Sequence, residues 1–223
     1  MKKISLYLSL LLLCSVPMVR AQMHSDSQGP GPYNIALGFG SWQDPSNGSG
    51  LDPNTFTGCT LAADPVCELN PALSHFFMGV DGDAMLNKRF GFAGEFVFTP
   101  TRSNYGPLQY RQEFYDANAL FEPLAKKRVT VRIEGGAGGA HTGFSLTESS
   151  CVGTAVCTNQ AESFGGSNHF QEHASVGVQI YLTHTIFIRP QFDYRHVGNF
   201  TDQFSRDTVL QGGIWLGYNF GTF

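Results

Sequence analysis

Strict alternation of apolar and polar side chains recurs eight times along this chain, and each time one face carries no charge. The first strand is expected near Tyr33 to Trp42, with Tyr33, Ile35, Leu37 and Phe39 against Asn34, Ala36 and Gly38. The second, His75 to Leu86, sets Phe76, Met78, Val80 and Leu86 against Phe77, Asp81 and Asp83. The third, Arg89 to Thr99, sets Phe90, Phe92, Phe96 and Phe98 against Arg89, Glu95 and Thr99. The fourth is the least regular: Tyr115, Ala117, Ala119 and Phe121 oppose Asp116 and Asn118. The fifth places Val129, Val131 and Ile133 against Thr130, Arg132 and Glu134. In the sixth, Ala174 through Leu182 alternate with His173, Ser175, Gln179 and Tyr181. The seventh sets Ile186, Ile188, Phe192 and Tyr194 against Arg189, Gln191, Asp193 and Arg195; the eighth sets Leu210, Ile214, Leu216, Tyr218 and Phe220 against Gln211, Trp215 and Asn219.

Successive side chains of a strand point to opposite faces, so each set is one surface of a sheet. An arginine at the bilayer midplane on a barrel's lipid face costs roughly 2–4 kcal/mol. Arg132, Arg189 and Arg195 therefore belong inside, with the acids. Asp81, Asp83, Glu95, Arg132, Glu134, Arg189, Asp193 and Arg195 form the expected lumen charge network. Two readings of it stand: a gated polar pore, and an ion-paired plug. An eight-stranded interior can be filled by side chains, which favours the plug.

The connections agree with a membrane barrel. They are short around Asn87-Lys88, Glu122 to Arg128 and Thr183-His184, but about thirty residues long between strands one and two and about twenty between five and six. Short turns at one rim and long loops at the other match a barrel whose turns are periplasmic. Aromatics gather at strand ends, Tyr33, Phe90, Phe121, Tyr218 and Phe220 towards the turns and Phe76, Phe98, Phe192 and Tyr194 towards the loops, as two interfacial girdles require. The class expected is all-β, an eight-stranded antiparallel up-and-down transmembrane barrel.

Composition sharpens this. Charged residues are 14% of the chain, well below the ~25% of soluble domains, while Phe reaches 19 and Gly 26. After residue 21 no segment has the long apolar run of a membrane helix, so the apolar residues must be distributed by alternation. The N-terminus reads as an export signal: Lys2 and Lys3, an apolar stretch from Ile4 to Cys14, and Val19-Arg20-Ala21 before cleavage. Lipidation at Cys14 is the weaker reading, because Leu13 is not small. Residues 1–21 are thus assigned to a signal peptide, 22–32 to a flexible periplasmic lead-in and 33–223 to the barrel. The mature chain, without three of the 14 basic residues, is acidic, which argues against nucleic acid as a partner.

Four cysteines remain after cleavage. Cys59/Cys67 and Cys151/Cys157 lie as close pairs in the two longest loops, and an exported chain enters an oxidising compartment. Two local disulfides are expected. Neither pair has zinc-ligand spacing, so no metal or other cofactor is expected. The Gly135–Gly139 run lacks the Lys-Ser/Thr of a phosphate loop and instead marks close strand approach.

In its architecture from Tyr33 to Phe220, and in its closing segment from Gly213 to Phe220, the chain resembles the OmpA-like small outer-membrane barrel domains. The resemblance implies a monomeric barrel in outer-membrane lipid, inserted by the assembly machinery that reads an aromatic-alternating last strand, here ending at Phe220 or Phe223. Longer members continue into a peptidoglycan-binding domain; with none after Phe223, no cell-wall tether is expected. His173-Ala174-Ser175 also resembles the His-x-Ser element of the outer-membrane lipid A deacylases. Val176 stands where that family has Asn, and the pair falls on the lumen face, whereas the family's dyad faces lipid. The expected role is therefore structural or surface-interacting through the external loops, and not enzymatic. A small-solute channel and a lipid A-modifying esterase are the alternatives.

Overall fold

The computed structural model describes residues 31–43, 73–105, 108–152, 156–204 and 206–221. Nine strands follow one another among them: β1 (Tyr33–Gln43), β2 (Ser74–Met85), β3 (Phe90–Phe98), β4 (Ser103–Tyr105), β5 (Leu108–Ala125), β6 (Val129–Val152), β7 (Val156–Tyr181), β8 (Ile186–Val197) and β9 (Thr208–Phe220). Each long strand pairs antiparallel with its neighbours in the order β3-β2-β1-β9-β8-β7-β6-β5, and β3 pairs with β5 to close the ring. The result is an eight-stranded barrel, with β4 a short addition hydrogen-bonded to the outer end of β5. The expected signal peptide, most of the lead-in, Cys59, Cys67 and Phe223 lie outside the described residues.

Alternation decides which face is which. Leu37, Phe92, Phe170 and Leu216 are more than half exposed, whereas Asp81, Arg132, Arg189, Asp193 and Arg195 are buried. An apolar exterior continuous over eight strands far exceeds the few hundred Å² that soluble monomers leave in one patch, so its solvent is lipid. The belt is finished by aromatic pairs. Tyr33 stacks on Phe220 at 5.6 Å and Phe90 on Phe121 at 5.0 Å at the turn rim, and Phe96 lies on Phe98 at 5.7 Å near the loop rim.

The turns are short because polar side chains close them locally. Asn87 Oδ1 accepts hydrogen bonds from the Arg89 and Phe90 amides at 2.9 and 3.0 Å, and Thr183 Oγ1 accepts from the Ile186 amide at 2.9 Å. Arg89, expected on the polar face of the third strand, is exposed in this turn instead, and Leu86 and Leu182 are turn residues. At the same rim Gly31 and Pro32, the end of the expected lead-in, dock on the barrel. The Gly31 amide donates to Asn219 at 2.5 Å and Pro32 accepts from the Met85 amide at 2.7 Å.

The largest departure from expectation is at the other rim. β5, β6 and β7 run 18, 24 and 26 residues, against 9 to 13 for the other barrel strands. The twenty-residue loop expected after the fifth strand is mostly the continuation of β6 and β7 as a paired hairpin projecting past the barrel. Cys151 and Cys157 therefore lie in strands, directly opposite one another, and not in an irregular loop. Alternation misses this because a hairpin in water has no lipid face to keep apolar. The Gly135–Gly139 run sits inside β6: a Cβ at Gly136 would run into the Ala117 carbonyl of β5, so only glycine allows this strand spacing.

Candidate functional site

The lumen holds the candidate site, and it is layered. Towards the turn rim, Arg132 of β6 reaches Asp83 of β2 at 2.5 Å and Glu134 two residues along its own strand at 2.9 Å. Arg189 of β8 reaches Asp81 of β2 at 2.8 Å and lays its guanidinium 5.4 Å from the centre of the Trp215 ring. The strands place these groups by simple geometry. Residues two apart share a face, and across a narrow barrel an arginine is long enough to meet a carboxylate of a non-adjacent strand. Below them a polar chain closes the turn-side mouth: Asn34 donates to Asp83 at 2.8 Å, and Asn219 donates to Asn34 at 2.7 Å.

Higher in the barrel Arg195 of β8 grips two carboxylates at once, Glu95 of β3 and Asp116 of β5, the latter at 2.5 Å. His173 of β7 stands between Asp116 and Asp193, its two ring nitrogens each 3.1 Å from a carboxylate oxygen. Gln191 donates to Glu95 at 3.1 Å and to Asp193 at 2.7 Å, and Gln211 to Asp193 at 3.1 Å. Buried charges are tolerated only when paired and hydrogen-bonded in this way.

All eight residues expected in the network are buried and face the lumen. Three further titratable groups join them: Asp116, Glu122 and His173. Among the described residues the lumen therefore holds seven buried carboxyl groups against three arginines, a larger acidic surplus than the five against three of the expected network. Asp116 is visible as the polar face of the fourth strand, but its partners come from β7 and β8, and alternation carries no information about that.

Above the ions the interior changes character. Trp42, Phe77, Val97, Tyr110, Phe114, Phe200 and Phe204 pack into one buried apolar cluster. Trp42 stacks on Phe77 at 5.5 Å and meets Phe114 edge-on at 5.0 Å. Arg195 lies 5.2 Å from the centre of the Phe114 ring, so the aromatic layer rests directly on the ionic one. Phe200 and Phe204 come from the connection between β8 and β9, which turns inward through Asn199 in a left-handed conformation (φ 58) and a short 3-10 helix, Phe200–Asp202. Phe204 packs against Tyr110 at 5.3 Å, so this segment caps the barrel. Room for the large rings is made by glycine: a Cβ at Gly38 would lie 2.5 Å from Trp215.

The esterase geometry is not formed. His173 uses Nδ1 towards Asp116 and Asn118 and Nε2 towards Asp193, while Ser175, two residues along the same strand, pairs in register with Asp193. A serine hydrolase needs the imidazole hydrogen-bonded to the serine hydroxyl.

No protein-family model and no curated protein sequence matches the chain. Solved structures do. The chain is similar to Neisserial surface protein A, with TM-score 0.52 and 10% identity over 84% of this chain and 96% of that one. It is also similar to the attachment invasion locus protein Ail of Yersinia pestis (TM-score 0.47, 16% identity, 86% and 99% covered) and to the outer membrane protein OprG of Pseudomonas aeruginosa (0.47, 12%, 89% and 100%). At such identities the likeness speaks of fold, and on the closed ring and apolar belt already described it is plain: the chain is a small eight-stranded β-barrel of the outer-membrane type.

Proposed function

We propose that this protein is an outer-membrane barrel whose lumen is a closed plug and whose role is structural or surface-interacting, carried by its extracellular segments. The observation that carries this reading is the interior itself, filled by cross-strand ion pairs and then sealed by an aromatic layer under the β8–β9 connection. The β6–β7 hairpin, the longest projection among the described residues, is the part offered to the outside. In planar bilayers the refolded protein is expected to be nearly silent. Steady ion-selective conductance that changes with E95Q or R132Q would instead make it a channel.

The reading is non-enzymatic, since the only His-x-Ser element is locked into the plug with both imidazole nitrogens engaged by other groups. Lipid A from cells expressing the protein should keep all its acyl chains by mass spectrometry; loss of one would overturn this. Cleavage after Ala21, insertion by the outer-membrane assembly machinery and a monomeric state complete the proposal. So do disulfides Cys59–Cys67 and Cys151–Cys157, the second supported by the cross-strand register of its two residues.

A further inference from the structure

The outer wall carries a sharp change of chemistry between β3 and β7 on the loop side. Strand register fixes its height. Phe96, Tyr115, Gly139 and Phe170 form one outward cross-strand row, and the Tyr115 ring covers Gly139. Two residues further out, the row is Phe98, Glu113, His141 and Asn168; two further still it is Arg111, Gly143 and Gly166. Each step is about 7 Å along a strand, less along the membrane normal because barrel strands tilt. Aromatic girdles sit at the interface, so the row with Arg111 lies just beyond the hydrocarbon, at the depth of lipid headgroups.

At that depth a cleft of about 380 Å³ opens outward, with Arg102, Arg111, Glu113 and His141 among its walls. A bulge opposite Phe144 and Ser145, where β7 carries one extra residue, interrupts the regular ladder beside the cleft. Gly143, Gly165 and Gly166 leave the cleft floor without side chains, and a Cβ at Gly165 would meet nothing within 4 Å. Arg102 donates from Nη1 to Ser145 at 2.7 Å, which orients it. Arg111 lies over the Phe98 ring at 5.3 Å with Nε 3.5 Å from Glu113, and its side chain is 44% exposed. His141 is held by Asn168 at 2.9 Å. Two guanidinium groups against one carboxylate leave the cleft cationic, on a protein that is acidic overall.

We infer that this cleft binds the phosphate of an anionic outer-leaflet lipid, Arg102 and Arg111 donating charge-assisted hydrogen bonds and the aromatic row below packing on its acyl chains. Guanidinium forks match phosphate oxygens, and a water-soluble anion would have no use for the apolar row that borders the site. The inference rests on the outer-membrane reading, and the test separates the two.

The refolded mature chain in non-ionic detergent is first checked for heat-modifiability on a gel, which reports the barrel alone. Native mass spectrometry then measures binding of bisphosphorylated lipid A, its dephosphorylated form and inorganic phosphate. Wild-type protein should hold the phosphorylated lipid about tenfold more tightly than R102Q/R111Q does, the loss expected for two solvent-exposed ion pairs to phosphate. K126Q/K127Q, in an exposed turn at the opposite rim, should bind as wild type. Equal retention of phosphorylated and dephosphorylated lipid by wild-type protein overturns the inference, whether or not the double variant folds. So does displacement of the lipid by equimolar inorganic phosphate, or an equal loss from the lysine control. A protein that is not heat-modifiable overturns the barrel reading instead.

Discussion

The ionic and aromatic layers of the lumen are equally buried, yet they are opposite in chemistry. In the ionic layer Arg132, Arg189 and Arg195 each reach at least one carboxylate on a strand that does not adjoin their own. In the aromatic layer Trp42, Phe77, Phe114, Phe200 and Phe204 fill space without direction. The contrast shows two ways to occupy a barrel. Ion pairs fix strand positions through geometry and are costly when broken, because one partner is left buried and alone. Rings exclude water and lose stability mainly in proportion to the cavity left behind.

The contrast is sharpest at Arg195. R195M strands Glu95 and Asp116 together and should lower stability by about 3–5 kcal/mol, read from the urea midpoint of the barrel in detergent. F204A in the cap should cost about 3 kcal/mol, the lower end for a buried Phe, because its connection can partly collapse into the space. It should also be the variant that raises bilayer conductance, since it thins the seal while leaving the ion pairs intact. If F204A costs more than R195M, the ionic layer is not what holds the strands.

A smaller effect tests the acidic surplus. E134Q keeps an oxygen that can accept from Arg132, leaves Asp83 in place and removes one of seven carboxyl groups. It should cost no more than about 1 kcal/mol, against several for R132M in the same layer. Equal losses from the two would mean that the lumen has no carboxylate to spare. The smallest effect is expected outside the barrel. Reducing a Cys151–Cys157 bridge opens a loop far shorter than the 15 residues worth about 3 kcal/mol, and the described strand residues flanking the tip pair with one another. The midpoint of the barrel should not move, while protease should cut the tip faster.

Much of this barrel is legible in the order of its amino acids. Alternation names the inner charges and the outer apolar residues, and Trp215, Phe77 and Gln211 fall on the lumen face by the same rule. Three things are not legible. The length of β6 and β7 is hidden because the strands leave lipid and lose their one-sided apolarity. Phe200 and Phe204 lie in a connection with no strand period, so nothing local marks them as the cap. The outward cleft unites Arg102, Arg111 and His141 from three parts of the chain.

The sequence by itself determined the architecture and the sidedness of the eight strands where they cross the apolar belt, because a lipid exterior penalises each charge on the wrong face independently of all others. Partners were decided only by the closed barrel. Which carboxylate meets which arginine depends on the stagger between strands and on the reach across the lumen, as with Arg195, Glu95 and Asp116, and no single strand encodes either.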